Sequence, residues 1–246
     1  MPEKAQNVPG GTMQRRPDFA RIRTSLAASM HFRTLGADDL DRLAGLAQIK
    51  RLRADERMPV GNNFSIVLSG GLRVASTNAE GAEFVYAVLG PGSFFALGEV
   101  IGEPRGGAEA FAYGDTDVAV VDGRGFVELL NEHPRLWQHF AGLLYRRLTL
   151  AMMVIRDISS APLSQRIVRR LLGQAIGAGM DVAGAPVELR LTQADLARML
   201  GASRSKVSIE LKRLEGEGLI RIGYRIIRLV DLARLQSLAG PEVFAF

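Results

Sequence analysis

The sequence predicts an α+β chain: an N-terminal antiparallel β-roll of jelly-roll-like pattern, one long helix, and a C-terminal winged helix-turn-helix. Three observations predict it. Short apolar runs (FSIVLSGGLRVAS, EFVYAVLGPGSF, FAYGDTDVAVVD) alternate with turn residues from about Arg51 to Asp122, a texture of antiparallel strands and not of alternating strand and helix. Apolar residues then recur every three or four positions from Trp137 to Ile158, the period of a helix. Last, LTQADLARMLGASRSKVSIELKRLEGEGLIRIGYRIIRL places two short amphipathic patterns around a glycine, followed by two β-rich runs.

Residues 1–20, with a Gly-Gly pair and Arg15-Arg16, carry no sustained periodicity and read as a flexible arm. A helical stretch is expected from Arg21 to Met30. A second covers ADDLDRLAGLAQI, where Leu40, Leu43, Leu46 and Ile49 keep helical spacing behind acidic residues suited to a helix start. The β-roll occupies the rest of residues 21–133, with breaks at Gly70-Gly71, Asn78 to Gly81, Gly90 to Gly92 and Gly114-Asp115.

Residues 134–160 form the long helix. Trp137, Phe140, Leu144, Leu148, Ala151, Ile155 and Ile158 make a seam, and the stretch LTLAMMVI is apolar almost all round. One stripe needs one partner, so this helix is expected to be covered twice, by its own β-roll and by the same helix of a second chain. A buried helix within a monomer has the same periodicity. Ser159-Ser160-Ala161-Pro162 interrupts the pattern and marks a hinge, proline suiting the first turn of the next helix.

Residues 161–246 are the basic part of the chain: 13 Lys and Arg against 8 Asp and Glu, whereas the first 160 residues carry 18 of each. The net charge of +5 therefore belongs to the last third, which favours a polyanionic partner there. Thr192 is placed to cap the first short helix, with Asp195 in the acidic slot of a capping box, and Gly201 supplies the turn. In the second helix Val207, Leu211 and Leu214 form the buried stripe, leaving Ser205, Ser208, Ile209 and Lys212 together on the other side. Short hydroxyl side chains let a helix approach base edges in a major groove, while Arg204 and Lys206 at its leading end meet guanine or phosphate. A polar surface helix alone has similar residues; the turn, the inner stripe and the strand pair joined through Gly223-Tyr224 together favour double-stranded DNA. Thr192, Gln193, Ser203, Arg204, Ser205, Lys206, Ser208, Ile209 and Lys212 are the candidate contacts.

Composition excludes several chemistries. There is no cysteine, which removes disulfides, thiolate nucleophiles and cysteine-ligated clusters. Three scattered histidines, His31, His133 and His139, give no expected metal or haem site. No nucleophile–base pair or phosphate loop is present, so neither an enzyme nor a bound cofactor is expected. No apolar run reaches the roughly 20 residues of a membrane span and the start lacks a secretory core, so a cytoplasmic location is expected.

From about Leu26 onward the sequence resembles the Crp/Fnr family of bacterial transcription regulators, most specifically in FSIVLSGGLRV, VLGPGSFF with LGEV, and LTQADLARMLGASRSKVSIELKRLEGEGLI. The resemblance implies a sensor β-roll of the cyclic-nucleotide-binding type, a dimerisation helix, and a homodimer on a two-fold symmetric DNA site, with RNA polymerase as a further partner. It also implies an effector site at Gly98, Glu99, Val100, Arg105, Gly106, Gly107, Ala151 and Met152. Departures stand out. Positions where well-known members carry an Arg or Val, a Glu and a later Arg hold Arg204, Ser205 and Ile209. Gly98-Glu99 matches the nucleotide-binding pattern, but Arg105 is followed by Gly106-Gly107 with no hydroxyl residue, and Ala151 and Met152 offer a purine no hydrogen bond. Cyclic AMP is therefore not the expected effector; an apolar or differently shaped small molecule, a protein partner or no effector remain, and Gly98 to Gly107 also reads as a long turn. A regulatory module that acts through protein partners, with DNA binding weakened, is the alternative function.

Overall fold

The computed structural model describes residues 17–59, 61–102, 107–178, 180, 182 and 184–240. Helices α1 (Pro17–Ala28) and α2 (Ala37–Gly45) precede strands β1 (Ala47–Leu52), β2 (Asn63–Ser69), β3 (Leu72–Thr77), β4 (Glu83–Leu89) and β5 (Phe94–Phe95). A single turn, α3 (Leu97–Val100), leads to β6 (Glu109–Ala112), β7 (Thr116–Asp122), α4 (Gly123–Glu132) and the long α5 (Arg135–Ser160). The last third contains α6 (Leu163–Gly177), β8 (Val187–Arg190), α7 (Gln193–Leu200), α8 (Arg204–Gly216), β9 (Ile220–Gly223), β10 (Ile226–Leu229) and α9 (Leu232–Ala239). No helix among the described residues is long and apolar enough to cross a membrane.

The β-roll consists of two antiparallel sheets, ordered β1-β7-β2-β5 and β4-β3-β6. Between them lie Leu52, Val67, Leu72, Val74, Leu89 and Val118. Its turns are tight: a Cβ on Gly70, which has φ +76°, would stand 2.4 Å from the Asp115 carbonyl oxygen. The outer face of the first sheet carries the helices. Phe64 and Ile66 pack there with Ile22, Leu26, Leu43, Phe126, Leu130 and Phe140 in one aromatic-rich core. Burying side chains of this size is worth about 1.5–3 kcal/mol each, more than exposed ion pairs such as Arg124–Glu128 at about 0–1 kcal/mol supply.

Several expectations need correction. The helical spacing of Leu40 and Leu43 does not continue to Ile49: Leu46 caps α2 and Ile49 lies in β1, paired with Ala119. The roll therefore begins at Ala47, before Arg51. Pro17 to Ala20, assigned to the arm, form the first turn of α1, which ends at Ala28 and not at Met30; residues 1–16 lie outside the described residues. Along α5, Phe140 is not part of an open seam but is 3 % exposed within its own chain, and Leu144 packs against the same core. Trp137 sits at the rim, its Nε1 donating to Asn131 at 3.3 Å. The open stripe is Tyr145, Leu148, Met152, Ile155 and Ile158, each more than half exposed.

The C-terminal unit does not stand apart from the roll. The outer face of β4-β3-β6, through Ala75, Val85, Val88 and Tyr113, shares one core with Ile167, Leu171, Leu196, Leu200 and Leu211. The edge strand β4 is closed by α6, where Gln174 Oε1 accepts from the Val88 amide at 2.9 Å, which satisfies a group that an edge would otherwise leave open. His31, in the turn after α1, donates from Nε2 to the Gly177 carbonyl at the end of α6, at 3.1 Å. Burial, with Arg147 and Arg146 adding repulsion, lowers the His31 pKa from 6.5 to about 4.

Because the folded state holds His31 neutral while the unfolded chain protonates it near pH 6.5, this contribution is complete above pH 6.5 and is lost as pH falls toward 4. The loss is expected to approach about 3 kcal/mol. His31→Gln, which keeps a donor for Gly177, should flatten the unfolding free energy over that window; curves that stay parallel would assign the acid sensitivity elsewhere.

Candidate nucleic-acid interface and effector cavity

The helix-turn-helix is built by local rules. Thr192 Oγ1 accepts from the Asp195 amide at 3.0 Å to start α7, and α7 stops at Gly201, whose φ of +58° is the left-handed conformation that glycine adopts without strain. Ser203 then opens α8, its hydroxyl accepting from the Lys206 amide at 3.4 Å and lying 3.2 Å from Ser205 Oγ. Val207, Leu211 and Leu214 are fully buried beneath it. The strand pair β9-β10 acquires β8 as a third member, in the order β8-β10-β9.

This packing turns a defined set of side chains outward. Ser203, Arg204, Ser205, Lys206, Ile209 and Lys212 are exposed and Ser208 is half-buried. Ile209 is 67 % exposed, an aliphatic group held in water on a helix whose apolar stripe is already occupied. Arg204, Lys206 and Lys212 form no ion pair with any described residue, while the neighbouring Arg213 is engaged by Glu210 and Glu217, which raise its pKa. Within α8, the cations without an ion pair among the described residues are thus the ones on the outward face.

Thr192 and Gln193 are placed differently: both are half-buried, and Thr192 meets the β-roll through Tyr113. Tyr113, at the end of β6, donates its hydroxyl proton to Asp195 Oδ2 at 2.7 Å and accepts from the Thr192 amide at 3.0 Å. In the expected capping box the carboxylate of Asp195 would take that amide; instead it accepts from the Thr192 hydroxyl at 2.6 Å. Burial, and then Asp195, raise the Tyr113 pKa, which keeps the hydroxyl protonated as a donor. From the β9–β10 turn Arg225 stacks on the same ring, 4.5 Å from its centroid. One tyrosine of the roll therefore holds both the start of α7 and the tip of the wing.

A cavity of about 640 Å³ opens between β4, α3, α5 and α6. Its walls are mainly apolar, including Phe84, Val88, Leu97, Leu150, Ala151 and Val154, and four arginines line it: Arg147, Arg166, Arg169 and Arg170. Gly98, Glu99 and Ala151 of the expected effector site line this cavity. Val100 does not; it packs in the core beneath α3. Gly107 is also absent from the wall, and Arg105 and Gly106 lie outside the described residues. Met152 points away from it, on the open stripe of α5, one residue of helical rotation past Ala151. Gly98 is not in a long turn but in α3. The arginines were missed by sequence reasoning, although Arg147 interrupts an apolar helix and Arg166, Arg169 and Arg170 recur at helical spacing. Among the described residues no group of three or more His, Asp or Glu is placed to hold a metal ion.

A β-roll joined by a long helix to a winged helix-turn-helix defines a class of DNA-binding regulators, and comparisons with known proteins agree. Residues 55–133 match the cyclic nucleotide-binding domain and residues 165–238 the Crp-like helix-turn-helix domain. The transcriptional regulator SdrP of Thermus thermophilus is 30 % identical over 175 residues, 70 % of this chain and 82 % of that one. The cyclic AMP receptor protein of the same organism is 28 % identical over 183 residues, 73 % of this chain and 81 % of the relative. Among solved structures, a CRP/FNR-family regulator, also from Thermus thermophilus, superposes with a TM-score of 0.54 at 25 % identity, over 78 % of this chain and 98 % of that one. FixK2 of Bradyrhizobium japonicum shares the fold with a TM-score of 0.63 at 23 % identity, over 79 % and 98 %. The chain belongs to the Crp/Fnr family of transcription regulators.

Arg204 heads the outward face with no ion-pair partner among the described residues, so its replacement by Ala should leave folding intact and cost roughly 1–3 kcal/mol of DNA binding at one base pair, relaxing preference there. Selection of bound sequences from a random pool reads this out; an equal loss on all sequences would make Arg204 a phosphate contact.

Proposed function

We propose that the chain is a sequence-specific transcription regulator that acts as a homodimer on a two-fold symmetric operator, with an effector other than cyclic AMP at the cavity between the β-roll and α5. The observation that carries it is the outward face of α8, where Arg204, Lys206 and Lys212 lack protein partners among the described residues. Ser203, Ser205 and Ser208 give close approach to base edges, and Ile209 is suited to a thymine methyl. Thr192 and Gln193, at the start of α7, would meet phosphate once the roll releases them.

Support for two copies comes from α5. Tyr145, Leu148, Met152, Ile155 and Ser159 follow a three-four alternation, and all but the last are large apolar groups in water, the pattern of a two-helix seam. Ile158 and Ala151 flank it. Such a seam sets two α8 helices into successive major grooves, and RNA polymerase is the partner such a DNA-bound dimer would recruit.

The conformation described above is one in which the roll holds the reader: Tyr113 occupies the Thr192 amide and the ring carries Arg225. DNA contact by these groups requires the roll to release them, and an effector that favours release by its differential affinity shifts the population toward binding. The same contacts favour a second reading, in which the chain acts through protein partners and its DNA binding is weak.

The two readings separate by salt dependence. A DNA reader should lose at least about tenfold in affinity for random duplex between about 50 and 200 mM salt, and a chain with no measurable duplex affinity at low salt would leave the second reading. For the dimer, Ile155→Asp should give a folded monomer by light scattering with poor operator affinity; dimers that survive the change would place the seam elsewhere.

A further inference from the structure

We propose that the cavity between β4, α5 and α6 takes an amphiphilic anion: one carboxylate or phosphate head group against Arg170, with an apolar body along Val88, Leu150 and Val154. This rests on the cavity being the effector site and extends that reading to the chemistry of the ligand.

The charge on the wall is only partly balanced from within: Glu99 and Asp157 line it together with the four arginines. Of the four arginines, Arg169 is paired to Asp157 at 2.5 Å. Arg147 and Arg170 meet no carboxylate among the described residues. Arg170 donates to the Tyr86 carbonyl, while its Nε is buried with no hydrogen-bond partner. Arg147 donates to the Phe94 carbonyl and lies over the Phe94 ring, 3.6 Å from the centroid. A carbonyl and a ring face orient a guanidinium but do not cancel its charge, and burial lowers both groups to about 10. A positive group withdrawn from water without a counter-charge is unfavourable until an anion supplies one. The guanidinium fork matches carboxylate and phosphate geometry.

The rest of the cavity demands the opposite chemistry. Its volume of about 640 Å³ is that of a small-molecule site, and its walls between the arginines are mainly aliphatic and aromatic, with Glu99, Asp157 and Gln174 as the other charged or amide side chains. Open space adjoins two glycines of the wall: a Cβ added to Gly98 or to Gly173 meets nothing within 4 Å. The head-group arginine also ties α6 to β4 through Tyr86, so a ligand there engages the contact that joins the C-terminal unit to the roll.

Titration calorimetry on the full chain, passed over a lipid-adsorbing resin, tests this with decanoate and decyl phosphate, and with acetate, inorganic phosphate, decanol and cyclic AMP as comparisons. Saturable binding of either amphiphile is expected, weakened about tenfold or more by Arg170→Gln, which keeps a donor for Tyr86. Gly173→Leu, which fills open space on a helix, should weaken it as much while the thermal midpoint is kept. The proposal is overturned if neither amphiphile binds, if decanol or a bare anion binds as tightly, if cyclic AMP binds with the same dependence on Arg170, or if neither variant matters. Duplex affinity of the unliganded chain, measured in parallel, keeps the readings apart. A chain that binds duplex but no amphiphile sinks this inference alone, and one that binds the amphiphile but no duplex sinks the DNA reading alone.

Discussion

The sheet β4-β3-β6 is apolar on both faces, and the arrangement of the whole molecule depends on that. One face, with Leu72, Val74 and Leu89, closes the roll; the other, with Ala75, Val85, Val88 and Tyr113, is covered by α6 and α7. Val74 and Ala75 are consecutive and buried on opposite sides, at the point where the β3–β4 register shifts by a bulge. A strand that must hide both faces cannot be left open to water. The C-terminal unit is therefore held by burial and not only by the covalent link, and the polar contacts of Tyr113, Gln174 and His31 fix its orientation within that attachment.

The long helix solves a related problem with three faces. Phe140 and Leu143 complete the core beside the first sheet. Leu150, Ala151 and Val154 form a wall of the cavity, and Tyr145, Leu148, Met152 and Ile155 remain in water. Asp157, buried near the end, is engaged by Arg169 of the following helix, so a buried ion pair marks the place where α5 meets α6.

What the sequence made legible was local. Thr192 and Gly201 specify a cap and a turn within a few residues of themselves, which brackets α7, and Val207, Leu211 and Leu214 specify the inner stripe of α8; the hydroxyl cap of Ser203 and the end of α8 carry no such expectation. Where two elements share a period the signal ran on: Leu40 and Leu43 are followed by Leu46 and Ile49 at helical spacing, yet Ile49 belongs to β1, because pairing with Ala119 outweighs the weak preference of a short apolar run. Phe140 and Ile155 have the same period and opposite fates, and periodicity counts faces without saying what covers each. The cavity was the least legible. Arg147 and Arg170 are 23 positions apart, and nothing in either neighbourhood announces that folding withdraws both from carboxylates.

The break between α5 and α6 is short and stiff. Ala161 is extended, with φ −118° and ψ 141°, and Pro162 has φ −65°; a proline ring locks its own φ and keeps the preceding residue out of helical conformations. Few torsions are therefore free to turn. Any change in how the two halves face each other is confined to a narrow arc about this pin, with little room for the diffuse wandering a glycine-rich tether would permit, and the lever arms on either side of it are whole helices of 26 and 15 residues. A small rotation at Ala161 thus becomes a displacement many times larger at the far end of α6.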